Sequence, residues 1–314
     1  MAFDVSRKEL LLYGGLSCHG GFEGTQACSE LHDTWVWDAH HWSQRHPLHS
    51  PEPSYLVGGG GAPGASNLMM VYDAGIHQVV LVDPVGGGWR WDGADWIQAW
   101  SPTSASPAVY VGQRTVPTYV NDFGDGIAVG FDESRNQLVV LTQHFHSTNC
   151  CPTPIGARSV LIRTYRTYVW DGKIWSTAAN ETLDETSPDG PDVNNVLAYD
   201  RGRRALVGVA ATATWTWDGS VWQKTAGGYG SFPGRGYGGG ALLYDPSLPG
   251  VVWMETSLKE VKNAYGPRVA LQWNANGWKE IKSSNRPLVN YPATAFDDST
   301  HSVVMVGGDV GCGC

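Results

Sequence analysis

The chain has 314 residues, of which 42% are hydrophobic and only 16% charged, with 40 glycines, 18 prolines and 15 tryptophans. Such a composition is too apolar for a disordered polypeptide and too rich in turn formers for a helical bundle. The formal net charge is −9 and no basic cluster accompanies it, which argues against nucleic acid or an anionic membrane as the main partner.

In chain order, the first element begins at Phe3-Asp4. A short polar turn follows, then the apolar run Glu9–Gly15. An aromatic residue followed by Asp returns at Tyr72-Asp73, Phe131-Asp132, Tyr199-Asp200, Tyr244-Asp245 and Phe296-Asp297, with starts 45 to 69 residues apart. Each copy is followed by a polar turn and a β-branched run, the pattern of two strands joined by a tight turn. A second half-motif stands behind the first five copies: Trp, then Asp or Asn, then three residues, then Trp. It occupies Trp37/Trp42, Trp91/Trp96, Trp170/Trp175, Trp217/Trp222 and Trp273/Trp278. Asp-Gly links the strands in three of these pairs (Asp92-Gly93, Asp171-Gly172, Asp218-Gly219), which suits the positive φ angles of a tight hairpin.

Each repeat is therefore expected to be four short antiparallel strands. A lone four-stranded sheet cannot bury aromatic side chains on both faces, whereas blades set around an axis can. The fold predicted is all-β: a β-propeller of five complete four-stranded blades plus a two-stranded half of a sixth. It is read as a single domain over 1–314. The blades fall at about 1–50, 69–101, 127–180, 195–226 and 240–283, with the half-blade at 290–314.

This pattern resembles the kelch repeat, in the form found in many bacterial proteins and in the central domain of galactose oxidase. The resemblance covers nearly the whole chain and includes the doublets Gly14-Gly15 and Gly307-Gly308 after the second strand. The four middle repeats depart from it, with Asp83-Pro84, Thr142-Gln143, Val209-Ala210 and Glu255-Thr256 near the doublet's place. No motif for the copper site and cross-linked tyrosine of galactose oxidase can be carried over, so that activity is not implied.

In a four-stranded meander the 1–2 and 3–4 links lie on one side, and the 2–3 and 4–1 links on the other. The second set contains every long insertion: Leu16–Leu31, Ser43–Leu68, Ile97–Ile127, His144–Val160 and Thr256–Pro267. Long loops on a rigid scaffold are where binding usually resides. All six cysteines fall there as well, and Cys18, Cys28, Cys150, Cys151, Cys312 and Cys314 are disulfide candidates, since closure of the ring would bring the last pair near the first.

A sharper reading of the same loops is a metal or redox site formed by His19, His144, His146, Cys150 and Cys151, because thiolate and imidazole suit zinc or copper. Their spacing matches no zinc finger or ribbon, so no cofactor is assigned. Trp100, in the long link after blade two, is a candidate stacking platform for a ligand alongside His144 and His146.

Three functions follow from these readings. The first is a binding module for a protein or glycan on the long-link face. The second is an enzyme with a Cys/His centre there, although no nucleophile elbow, phosphate loop or zinc-protease helix is present. The third is a self-assembling subunit whose open sixth blade takes strands from a neighbour. No apolar run is long enough to cross a bilayer, and no leader opens the chain. The cysteines favour an extracellular or periplasmic location after leader removal, and a cytoplasmic one is the alternative.

Overall fold

The computed structural model describes residues 1–19, 27–51, 68–83, 87–101, 126–153, 156–183, 197–209, 213–227, 240–255, 260–261, 264–265, 270–274, 277–281 and 292–307. Every regular element among them is a β-strand. Blade one is β1 (Ala2–Asp4), β2 (Glu9–His19), β3 (Ala27–Trp37) and β4 (Trp42–Arg45). Blade two is β5 (Met69–Asp73), β6 (Gln78–Val82), β7 (Gly88–Trp91) and β8 (Trp96–Trp100). Blade three is β9 (Gly126–Asp132), β10 (Gln137–Thr153), β11 (Gly156–Trp170) and β12 (Trp175–Leu183). Blade four is β13 (Ala198–Asp200), β14 (Ala205–Val209), β15 (Ala213–Trp217) and β16 (Trp222–Gly227).

Blade five starts with β17 (Gly240–Tyr244) and β18 (Val251–Glu255); a small ribbon of β19 (Glu260–Val261) and β20 (Ala264–Tyr265) intervenes before β21 (Ala270–Asn274) and β22 (Gly277–Ile281). The sixth sheet has two strands, β23 (Ala293–Asp297) and β24 (Ser302–Val306). The expected architecture of five full blades and a half is what the structure shows. First strands neighbour one another in the order β1, β5, β9, β13, β17, β23 and back to β1, so the ring closes through the half-blade.

Packing follows from strand alternation, since residues two apart share a face. The two tryptophans of each pair are directly opposite in register, as with Trp91↔Trp96 and Trp217↔Trp222, and their rings lie 5.3 and 5.4 Å apart. In blades two to five each pair then packs on the preceding blade. Trp91 and Trp96 join Leu11, Tyr13 and Val36 of blade one, while Trp217 and Trp222 join Val139, Leu141 and Tyr165 of blade three. Burying one such ring contributes roughly 2–3 kcal/mol, so these clusters dominate the stability of the ring. In three pairs the second tryptophan finds an acceptor for its indole N–H in a threonine of the preceding blade, whereas Trp91 and Trp217, the first of their pairs, bury theirs without a partner. Trp96 Nε1 donates to Thr34 Oγ1 at 2.9 Å, Trp222 to Thr167 at 2.9 Å and Trp278 to Thr214 at 2.7 Å.

The 1–2 turns carry a second repeated device. The Asp of each aromatic-Asp motif, buried in every blade but the fifth, accepts turn N–H groups on Oδ1, as Asp132 does from Ser134 and Arg135. In blades one, three and four an arginine three residues on pairs with Oδ2: Arg7 with Asp4 at 2.9 Å, Arg135 with Asp132 at 2.8 Å and Arg203 with Asp200 at 2.5 Å. The same guanidinium reaches the next blade. Arg7 donates to the carbonyl of Asp92, Arg135 to that of Asp218, and Arg203 lies 4.1 Å from the centre of the Trp273 ring.

Candidate functional site

The two faces of the ring are built differently. The 1–2 and 3–4 links contain two to six residues, whereas the links from one blade to the next contain 11 to 25. On the long-link side two hairpins outrun their blades. β10 keeps its β9 neighbour only as far as Gln143↔Gly126, and β11 gains β12 only from Arg163↔Leu183. Beyond those points residues 146–153 and 156–162 pair with each other, and among the described residues with nothing else. At about 3.3 Å per residue this arm is roughly 25 Å long. The β2–β3 hairpin of blade one is a shorter arm over Gly15–His19 and Ala27–Leu31, entered at a bulge beside Gly14 and Gly15, whose φ angles are +66° and +132°.

The residues singled out from sequence are distributed over these arms. His144, His146, Cys150 and Cys151 lie on β10, where His144 pairs with Thr164, His146 with Ile162 and Cys150 with Arg158, and the register shifts at Cys151. Cys18, Cys28 and His19 lie on the other arm, with Cys18 directly opposite Cys28 and His19 opposite Ala27. Cys312 and Cys314 lie outside the described residues. Trp100 sits at the end of β8, half-buried between blades two and three, its ring 4.8 Å from Trp170 and 5.0 Å from Trp175. It lies over Gly88, where a Cβ would stand 2.1 Å from its ring. Beside it a shallow cleft of about 320 Å³ is lined by Ile76, Gln78, Arg90, Ala99, Trp170 and Gly172, with Arg90 donating to Gln78 at 2.7 Å.

Two further features mark the ring, and only the first was not read from the sequence. The first is a charged cluster on the short-link face. Arg201 donates to both oxygens of Glu133 at 3.0–3.1 Å and lies 5.4 Å from the centre of the Tyr244 ring. The Glu133 hydrogen bonds raise the guanidinium's pKa, and burial raises that of the neighbouring Asp298 carboxyl against the pull of Arg201. Three successive blades are linked by this one side chain, and the sequence signal was only an Arg directly after the repeated Asp.

The second, expected from the sequence, is the two-stranded sixth sheet and the blade-one surface beside it. In blades two to five the first tryptophan of each pair is at most 4% exposed, whereas Trp37 is half-buried. By strand parity Trp35, Trp37 and Leu12 face blade six, since Tyr13 and Val36 face blade two. Among the described residues the sixth sheet has two strands, β23 and β24, and no third strand lies over them. Asp297 Oδ2 is buried without a hydrogen-bond partner, because Thr300 stands where other blades carry arginine. Burial would raise the Asp297 pKa, but hydrogen bonds from Ser299 and Thr300 outweigh it and hold the carboxyl below its ordinary value.

The fold defines the chain as a β-propeller. No family model matches it, and no curated protein does. Among solved structures it is similar to the Hadza microbial sialidase Hz136, at 16% identity and a TM-score of 0.37, over 71% of this chain and 47% of that one. The chain thus spans about half the length of that structure.

Proposed function

We propose that the chain is a rigid binding module that engages a polypeptide partner through its long-link face. The observation that carries this reading is the asymmetry of the ring, with short links on one side and two projecting arms and all the long links on the other. Open strand edges offer rows of main-chain donors and acceptors, which recognise an extended segment whatever its side chains. A closed ring keeps the arms' bases fixed, so little ordering is lost when a partner docks. A glycan is the alternative occupant of the same face.

The test compares the intact chain with a variant in which residues 145–163 are replaced by an Asn-Gly turn, which joins the paired residues His144 and Thr164, in pull-downs followed by cross-link mapping and on a glycan array. A partner held by the intact chain, cross-linked to the arms and lost from the variant supports the reading. Equal retention by both, or turnover of a substrate with no retained partner, overturns it.

We also propose a disulfide between Cys18 and Cys28. Directly opposed residues of an antiparallel ladder have Cα atoms about 4.5–5.5 Å apart, within the range a disulfide needs. Intact mass with thiol labelling before and after reduction decides it, with a Cys18–Cys28 linked peptide expected. Two labelled free thiols at these positions in protein purified without reductant would rule the bridge out.

A further inference from the structure

The boundary between blades two and three departs from its neighbours in two side chains at once. After blades one and three, an arginine of the 1–2 turn crosses to the next blade and lies over the glycine of its 3–4 turn, Arg7 over Gly93 and Arg135 over Gly219, with no room left for a Cβ. Blade two carries Ile76 at that position. Its Cγ2 makes only ordinary contact with the next turn, 3.5 Å from where a Cβ on Gly172 would stand, and it brings no guanidinium.

The second change lies on β7. Blades one and three place Val36 and Val169 before the first tryptophan of the pair, and both sit in boundary cores. Blade two places Arg90 there. Arg90 is directly opposite Val80, which packs against blade three, so the arginine faces blade three as well. The cleft of about 320 Å³ between the blades lies where both changes meet, with Ile76, Arg90 and Gly172 all in its lining.

Arg90 is half-buried and uses one of its five N–H donors, towards Gln78 Oε1 at 2.7 Å. Arg7, Arg135, Arg201 and Arg203 each hold a carboxylate, whereas among the described residues none lies within 4 Å of Arg90. A partly desolvated guanidinium without a counter-charge favours an anion that reaches it.

We propose that this cleft binds a small organic carboxylate, its carboxylate on the Arg90 guanidinium and its apolar body against Ile76, Ala99 and Trp170. Gln78 holds the guanidinium plane, which leaves the remaining donors for a bidentate pair. An apolar lining with a few convergent polar groups is the usual make-up of a small-molecule site, and the volume is at the lower end of the roughly 300–1,000 Å³ such sites span. That size suits a ligand of one ring. Arg90 is the one cation in the lining, which matches the single charge of a carboxylate better than the double charge of a phosphate. The site is separate from the long-link face, since Ile76 and Gly172 belong to short-link turns and no lining residue lies on an arm.

Calorimetric titration of the intact chain with benzoate, phenylacetate and hexanoate is the test, with benzamide and inorganic phosphate as comparisons. At least one of the three carboxylates should bind saturably at one per chain, and benzamide should bind benzoate's site about tenfold more weakly or not at all. Two variants separate the cleft from charge in general. Arg90→Gln removes the guanidinium and should weaken binding about tenfold or more. Ile76→Arg restores the side chain of the other blades and fills the space over Gly172. It should also abolish binding, although it adds a positive charge that would strengthen non-specific attraction of an anion. Urea midpoints and near-ultraviolet spectra establish that both variants keep the ring.

Amide shifts in the wild-type protein locate the ligand without any substitution, and those of Ala99 and Gly172 should move most on titration. The absence of saturable binding by all three carboxylates overturns the proposal. So does wild-type affinity in Arg90→Gln or in Ile76→Arg, or a shift pattern that leaves Ala99 and Gly172 unmoved. Phosphate binding as tightly as the best carboxylate would overturn the assignment of ligand class.

Discussion

Ala39 holds a backbone conformation its side chain resists. Its φ is +74°, in the turn where blades two, three and four place Gly93, Gly172 and Gly219 at +105°, +94° and +100°. A left-handed conformation costs an L-residue roughly 1–2 kcal/mol, and glycine avoids most of that cost. Ala39→Gly should therefore stabilise the fold by about 1 kcal/mol in urea titrations, and a destabilised variant would contradict this account.

Asp73 gives a pH-dependent counterpart at the same scale. Blade two has Ile76 where other blades place arginine, and burial pushes the Asp73 carboxyl up despite N–H groups donated by Gly75 and Ile76. A raised folded-state pKa means that the native state binds the proton more tightly than the unfolded chain. The resulting contribution is fully present below the ordinary carboxyl value and is lost as pH rises through the folded value. Asp73→Asn cannot titrate, so wild type relative to the variant should be most stable in acid and lose that advantage towards neutral pH. Denaturant titrations at acid and neutral pH measure the difference, and a gap that widens with pH would contradict the sign.

At the scale of elements, the bonds between blades decide which substitutions matter. Removing the hydroxyl of Thr34 or Thr167 orphans a buried indole N–H, so Thr→Val at either should cost about 1–2 kcal/mol by chemical denaturation, and less at Thr214, whose partner Trp278 is half-buried. The boundary between blades two and three is solved differently. Gly88 stands in the threonine's place, Trp175 Nε1 has no partner, and Trp100 fills the space. Gly88→Thr should destabilise by about 1–3 kcal/mol, because the new side chain must displace the Trp100 ring before it can reach Trp175. A neutral Gly88→Thr would mean that Trp100 moves aside without loss.

These boundaries also mark how far the sequence could be read. Pair spacing and strand alternation are local properties, so the blades, their number and the missing half were all visible in Trp37/Trp42 and its successors. The substitution of Gly88 with Trp100 joins residues of one blade to the rings of the next, and nothing in their spacing announces it. The left-handed ends of the 1–2 turns were equally silent, since Lys8, His77, Asn136, Arg204 and His301 occupy them without glycine. The arms lengthen β10 and β11 through residues with no special pattern, so His144 and Cys150 read as loop residues when the backbone places them in strands.

For the whole molecule, the distribution of apolar contacts predicts where the ring opens first. Four clusters fill the boundaries from blade one to blade five, and each joins residues of two adjacent blades. None of them reaches the half-blade, where Ala295 is buried but Val303, Val304, Met305 and Val306 of β24 are only half-buried. A ring closed through six first strands must therefore be held least firmly at the boundaries of β23–β24, since burial of apolar area is the main source of local stability. Native-state hydrogen exchange should show β23, β24 and β4 exchanging through a sub-global opening, while β9, β14 and β6 exchange only on global unfolding. Protection at β24 equal to that at β14 would mean that closure is as strong there as elsewhere, and that the two-stranded blade is complete in itself.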